Sequence, residues 1–353
     1  MMRSIIALCL LLQAQSCLAL DGDPVIPLMP SPPARALIAQ DAGVTAAAAA
    51  LDLAKSDAAL LNVSPYEWNA RASTQRRSNR DPAGSASYME WNVGVERALR
   101  LPAKTEADRV QAEALLEEAR ARLGEATNDA ARALATLSIE WTAAQRAQAL
   151  AESNVRAAEE AQAAVERRMR AGDAARLDVA VVSGELAEQR RLLVEARTQA
   201  AVALLRLTSR FPTADRAVPS WSPESISLQR PGAYWRDRIV AQSDELKAAQ
   251  ARVRVAQAVA GRARADKIPD PTVGLYTASE VGGRERIIGV NVSIPIPGPI
   301  RQTREVRALA AVDSAKQDAE VIRRRLLGES DAAVAAVGGA ADALAAAREG
   351  VRL

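Results

Sequence analysis

From Lys104 to Arg170 the chain contains no proline and is rich in alanine, glutamate, arginine and leucine. The stretch predicts one uninterrupted α-helix, which at roughly 1.5 Å per residue reaches about 100 Å. A single globular domain has no room for such a rod, so it must lie in a coiled coil or an extended bundle. The rod stops at Ala171-Gly172-Asp173, and a return helix is expected over 174–207, ahead of Phe211-Pro212. Within it Val179, Leu186, Leu193, Ala200 and Leu207 recur at heptad spacing, the seam of an antiparallel coiled coil. Alanine at seam positions lets two backbones approach closely. Trp141, the lone aromatic in the middle of the rod, is expected to pack rather than to serve as a site.

Composition narrows the function classes. Lys+Arg 46 against Asp+Glu 43 leaves a net charge of +3, so there is no electrostatic case for a nucleic-acid partner. Histidine is absent, which removes the commonest general base and zinc ligand and every Ser-His-Asp or Cys-His arrangement. Aromatic residues make up 3% of the chain, which suits closely packed alanine-rich helices better than a bulky enzyme core. No nucleophile–base pair or phosphate loop is recognisable, and Gly282-Gly283 reads as a turn. The sequence implies no enzyme activity, no cofactor and no metal site.

Both cysteines, Cys9 and Cys17, lie at the N-terminus. Arg3, the apolar run Ile5–Leu12 and the smaller residues up to Ala19 have the layout of a secretory signal peptide over 1–19. The apolar run is too short to span a bilayer as a helix, which needs about 20 residues. Cleavage after Ala19 leaves a mature chain without cysteine. The alternative is cleavage before Cys17 with lipidation of its thiol, although Ala14-Gln15-Ser16-Cys17 is a poor match to a lipidation signal. Residues 20–35 form a proline-rich leader. Downstream, the most apolar helical stretch is Ala332–Ala347, mostly alanine and glycine with Asp342 inside it, so a membrane-embedded mature protein is expected to be embedded through strands.

Strand signals occur twice. After a helix over Ala36–Leu61, with Gly43 its weak point, Tyr66, Trp68, Ala70 and Ala72 alternate with Glu67, Asn69, Arg71 and Ser73. Arg76–Gly84 reads as a polar loop, and a second strand runs from about Ser87 to Leu101, giving a strand pair over 65–101. Following a linker at 208–235 and a helix over Arg236–Lys267, a second pair is expected over 272–296. Its last strand, from Arg286, sets Ile288, Val290, Val292, Ile294 and Ile296 on one side, with Gly289, Asn291, Ser293 and Pro295 on the other. That alternation suits either a half-buried soluble strand or a transmembrane barrel strand. The placement of Tyr66, Trp68, Tyr88, Trp91 and Tyr276 in strands favours the barrel, because Trp and Tyr gather at bilayer boundaries.

The two parts superpose by sequence. Gly94 to Pro102 lies over Gly289 to Pro297 at a constant separation of 195 positions, and Arg109 then falls on Arg304. A fixed offset through a strand, its stop and the next helix start indicates a tandem duplication. The first repeat is assigned to 36–207, with long helices at 104–170 and 174–207. The second is assigned to 236–353, with a long helix from about 300; its break and return helix are expected to be missing, as in a C-terminally truncated copy.

Taken together, these features resemble the TolC-like family of outer-membrane efflux proteins, across about residues 36–353. The most specific pieces are Arg170-Ala171-Gly172-Asp173-Ala174-Ala175-Arg176-Leu177-Asp178-Val179, and Asp270-Pro271-Thr272-Val273-Gly274 followed by Gly289 to Pro297. The Ile294-Pro295-Ile296-Pro297-Gly298 turn is similar to the heavy-metal cation efflux branch. The resemblance implies a mainly α fold with a small β part: duplicated long helical hairpins forming a coiled-coil barrel, plus four transmembrane strands per protomer in a shared trimeric β-barrel. It further implies a homotrimer in the outer membrane of a Gram-negative bacterium, contacting its lipid, reaching into the periplasm and coupled to a periplasmic adaptor and an inner-membrane pump. By carry-over, Gly172, Asp173, Leu177 and Asp178 form the adaptor-docking tip, and Gly94, Pro102, Gly289 and Pro297 mark the strand-to-helix junction. Asp173 and Asp178 either ring the narrow end or cap the return helix.

Two other readings remain at the level of sequence. A periplasmic adaptor also carries a long helical hairpin, but without duplication. A secreted structural coiled-coil protein would bury Tyr66, Trp68, Ile288 and Val290 in a soluble core.

Overall fold

The structure is a computed structural model that describes residues 31–81, 84–214 and 230–352. The element order is α1 (Ser31–Gln40), α2 (Ala42–Asn62), β1 (Asn69–Asp81), β2 (Gly84–Ala98), α3 (Pro102–Arg170), α4 (Arg176–Arg210), α5 (Gly232–Gln242), α6 (Asp244–Ala265), β3 (Thr272–Glu280), β4 (Glu285–Ser293) and α7 (Pro299–Arg352). The described residues fall into two compact units, one comprising 31–37 and 134–214, the other 38–133 and 230–352. The predicted signal peptide 1–19, with Cys17, lies outside the described residues.

In the first unit, the outgoing rod and α4 form a helical hairpin. Leu186, Leu193, Ala200 and Leu207, four of the five predicted seam positions, are all buried. Val155 packs against Leu186 and Leu193, flanked by Ala151 and Ala158. Ion pairs Arg190–Glu159 (2.9 Å) and Arg197–Glu152 (3.2 Å) stitch the solvated edges of the same seam. Trp141 is 3% exposed, the packing role its isolation implied.

In the second unit, α6 packs on α7 through small side chains. Ala260, Ala308 and Val312 form a buried cluster with Ala256 and Ala263 beside it. Ser243 caps α6 by accepting from the Leu246 amide at 3.2 Å, Asp244 and Glu245 occupy the first turn, and Arg262 and Arg264 the last. This charge order complements the helix dipole. By length and composition α7 is apolar enough to cross a membrane, but that apolarity comes largely from the alanines of 332–347.

One four-stranded antiparallel sheet, in the order β1-β2-β3-β4, completes this unit. Because side chains alternate between faces, the register sorts them. Met89, Trp91, Val93, Val95, Leu275, Ile288, Val290 and Val292 lie on one face, all exposed, Ile288 at 88%. The other face is polar. It carries Arg71, Gln75, Arg77, Glu90, Glu96 and Asn291, and there Glu90 is only 2% exposed.

Several boundaries differ from the sequence reading, each for a physical reason. Arg76–Asp81 is not a polar loop but continues β1, paired with β2 out to Asp81 opposite Gly84. Both faces of this extension are polar, so no apolar alternation marked it. The first strand pair spans 69–98 rather than 65–101, with Tyr66 and Trp68 preceding β1. β4 stops at Ser293 because its partner β3 begins at Thr272 and Pro295 and Pro297 have no ladder donor; Ile294 and Ile296 therefore lie outside the strand. The helices expected over Ala36–Leu61 and Arg236–Lys267 are each broken by a capping residue, Asp41 and Ser243. The leader ends earlier than expected, since α1 starts at Ser31 and takes Pro32 and Pro33 into its first turn. Tyr234 and Trp235 are helical residues of α5 rather than part of the linker, and the return helix starts at Arg176, not Ala174.

Candidate functional site

Three places carry the chemistry that the fold positions: the two-faced sheet, the junction beneath it, and the tip of the helical hairpin.

On the polar face, side chains are tied to one another across strands. Glu90 accepts from Gln75 Nε2 (2.9 Å), from the Val281 amide (3.3 Å) and from Arg77 Nε (3.0 Å). Arg77 also reaches Glu280 at 3.3 Å, and Arg71 pairs with Glu96 at 2.7 Å. Gly94, Tyr276 and Gly289 stand in one cross-strand row. The ring of Tyr276 lies over Gly289, where a Cβ would come within 2.5 Å of it. Gly94 has the same need, since a Cβ there would sit 3.0 Å from Tyr276 Cβ. Gly94 and Gly289, both expected to mark the junction, form the bed for an aromatic ring inside the sheet.

The junction itself is built from charges of which the sequence reading quoted only Asp270, within Asp270-Pro271-Thr272-Val273-Gly274. Asp270 is buried between Pro269 and Pro271 and accepts from the Tyr66 hydroxyl, from Lys104 Nζ at 2.9 Å and from the Leu101 amide at 3.1 Å. Burial pushes the Asp270 carboxyl up, but these three donors outweigh it and hold the group below the usual carboxylate range. The same contact, with burial adding to it, pushes the Tyr66 phenol up. Beside it Asp108 is held by Arg100 and by Arg262 at 2.5 Å. Arg100 also donates to the carbonyls of Leu61 (2.7 Å) and Val63 (3.0 Å), and the Leu99 amide donates to Pro271 at 2.8 Å. Three chain segments, 61–66, 99–108 and 262–271, therefore converge where strands become helices. Pro102 is the first residue of α3, where a missing N–H costs nothing, and Pro297 lies just before α7. The signal for this network was available in Pro269-Asp270-Pro271, where an acid fixed between two prolines sits at a strand entry.

At the tip, Gly172 has φ +83, and its amide donates to Met169 while the Asp173 amide donates to Arg168. These two bonds form a Schellman motif, which needs a residue in the left-handed region. Asp173 pairs with Arg168 at 3.1 Å, and Asp178 Oδ2 accepts from the Ala175 amide at 2.9 Å. Asp178 thus caps α4, and Leu177 is 72% exposed beside it. Among the described residues there is no group of three or more potential metal ligands.

The described residues thus form an antiparallel sheet with one exposed apolar face and one polar face, from which long helices leave at the junction end. Residues 34–210 match the family model described as outer membrane efflux protein. Solved structures share the fold. The outer-membrane channel OprN matches with a TM-score of 0.70 and 20% identity, over 91% of this chain and 77% of that one. The Campylobacter jejuni outer-membrane channel CmeC matches at 0.66 and 12% identity, over 85% and 69%. A membrane protein from Pseudomonas aeruginosa matches at 0.66 and 19%, over 94% and 82%. No curated protein sequence gives a significant match. The chain belongs to the outer membrane efflux protein family. It is a TolC-like efflux channel protein of the Gram-negative outer membrane that extends into the periplasm, and the family and fold are those of channels rather than enzymes.

Proposed function

We propose that the chain acts as one subunit of a homotrimer that conducts substrate passively across the periplasm and outer membrane, docked at its tip to a periplasmic adaptor and through it to an inner-membrane pump. The observation that carries this reading is the four-stranded sheet with its exposed apolar face and unpaired edges β1 and β4. Open edges are not tolerated in hydrocarbon, and four strands cannot close on themselves. Three copies supply an even number of strands and remove every edge. Two tandem copies of one strand-pair-plus-rod unit account for the constant separation between Gly94–Pro102 and Gly289–Pro297.

For docking, the tip offers a rigid turn at Gly172, a paired Asp173, a capping Asp178, and exposed Leu177 and Val181 one helical turn apart. The test expresses the full-length chain with its adaptor and pump and follows fractionation, native mass and export. The wild-type chain is expected in the outer membrane as a trimer. Gly172→Leu is expected to insert normally while export falls at least tenfold. Recovery as a soluble periplasmic monomer would end the channel reading; unchanged export by Gly172→Leu would end the tip assignment.

A further inference from the structure

The arginines of the sheet divide by face. On the polar face each is matched to a carboxylate, Arg71 to Glu96 and Arg77 to Glu90 and Glu280. On the apolar face they are not. Arg286 shares a cross-strand row with Trp91 through Ser279, and Arg76 lies one row further toward the hairpin turns, opposite Met89. Both are exposed. Arg76 donates to Ser87 Oγ at 2.6 Å, and neither has a carboxylate partner among the described residues. Arg284, at the turn between β3 and β4, is likewise exposed without one.

These cations sit at a defined height. The apolar rows Val93–Ile288 and Val95–Val290 lie on the helix side of Trp91, and the arginines lie level with it or beyond. Tryptophan at the edge of an apolar band marks the level of lipid headgroups. Arginine at that level is nearly free of the cost it carries at mid-bilayer. A guanidinium offers paired N–H donors that match phosphate oxygens. The hairpin turns lie at the end of the sheet away from the helices, which extend into the periplasm, so this rim faces the outer leaflet.

We propose that Arg76, Arg284 and Arg286, with Trp91, form a rim that binds the phosphate groups of anionic outer-leaflet lipids. This rests on the outer-membrane placement of the sheet and goes beyond conduction. It assigns a lipid-specific contact to the outside of the barrel, with Arg71 and Arg77 excluded because their charges are already met.

Native mass spectrometry of the full-length channel in detergent tests this, with a bisphosphorylated glucosamine lipid and phosphatidylcholine as the two probes. The wild-type protein is expected to retain the bisphosphorylated lipid at least tenfold more strongly. Arg76→Gln combined with Arg286→Gln is expected to lose most of that preference while still binding phosphatidylcholine, and the latter readout shows that the variant has folded. Arg76→Lys with Arg286→Lys keeps part of the preference, and Arg71→Gln keeps all of it. Equal retention of both lipids by the wild-type protein, or an undiminished preference in the double glutamine variant, overturns the proposal. Failure of the wild-type protein to bind either lipid strikes instead at the outer-membrane placement.

Discussion

Asn291 Nδ2 reaches across an intervening strand and donates to Glu96 Oε2 at 3.3 Å, joining two residues 195 positions apart in the chain. The residue between them in the row is Gly274. A Cβ on Gly274 would lie 2.4 Å from Asn291 Oδ1 and 2.8 Å from Glu96 Cβ, so the bridge exists only because that position is empty. This bond over one glycine joins the two hairpins on the polar face, alongside the β2–β3 ladder and the Val281–Glu90 and Arg77–Glu280 contacts, and Arg71 extends it to the first strand.

Gly274→Val is therefore expected to break the bridge and overpack the row, at a cost of about 1–3 kcal/mol. Thermal denaturation of the assembled barrel in detergent measures this. Gly184→Ala on α4, where an added Cβ meets nothing within 4 Å, is the control and is expected to leave the midpoint unchanged or raised.

Asp270→Asn removes the nearer of the two anions beside buried Lys104 and leaves Asp266 at 3.4 Å. Loss of one partner of a buried pair costs about 3–5 kcal/mol, and the remaining Asp266 pair puts the expected cost at the lower end of that range. Urea unfolding of the variant against wild type checks it, and Tyr66→Phe is expected to cost less, because it leaves the Lys104 ion pair and the Leu101 contact in place.

The same junction sets limits at both ends of the pH scale. The Asp270 carboxyl is lowered from its ordinary 3.8, so its contribution is full above that value and is lost as pH falls through the lower folded value. The Tyr66 phenol is raised from 10.0, so its contribution is full below that value and is lost as pH rises through the higher folded value. Unfolding midpoints followed with pH are expected to fall on both flanks. Tyr66→Phe should remove the alkaline fall, and a variant profile identical to wild type there would refute the assignment.

Along the helical hairpin, Leu193→Ala is expected to lower stability by about 2–5 kcal/mol, since it empties a buried seam position beside Val155. The neighbouring Val194, 64% exposed, is expected to tolerate alanine with little change in the urea midpoint of the monomeric chain.

Much of this architecture could be read from the sequence because its signals are periodic. The heptad spacing of Leu186, Leu193, Ala200 and Leu207 places the seam, and the alternation of Ile288, Val290 and Val292 places the exposed apolar row of the sheet. What failed was the reading of segments whose two faces have the same polarity. Arg76–Asp81 is a strand without an apolar face, so periodicity was silent there. Ile294 and Ile296 alternate correctly but have no partner strand, so periodicity alone overextended β4. The junction charges Arg100, Lys104 and Asp108 were illegible for another reason. Each looks like an ordinary surface charge until chain segments far apart in sequence bury it. At the tip, Gly172 was identifiable as a turn, whereas the commitment of Asp178 to helix capping depends on backbone geometry that spacing only suggests.

The first hairpin has strands of 13 and 15 residues, the second of 9 and 9. At about 3.4 Å per residue, the excess carries the paired ends of β1 and β2, Asp81 and Gly84, more than 10 Å past the ends of β3 and β4. The rim of the sheet away from the helices is therefore stepped, with the first hairpin as its taller part.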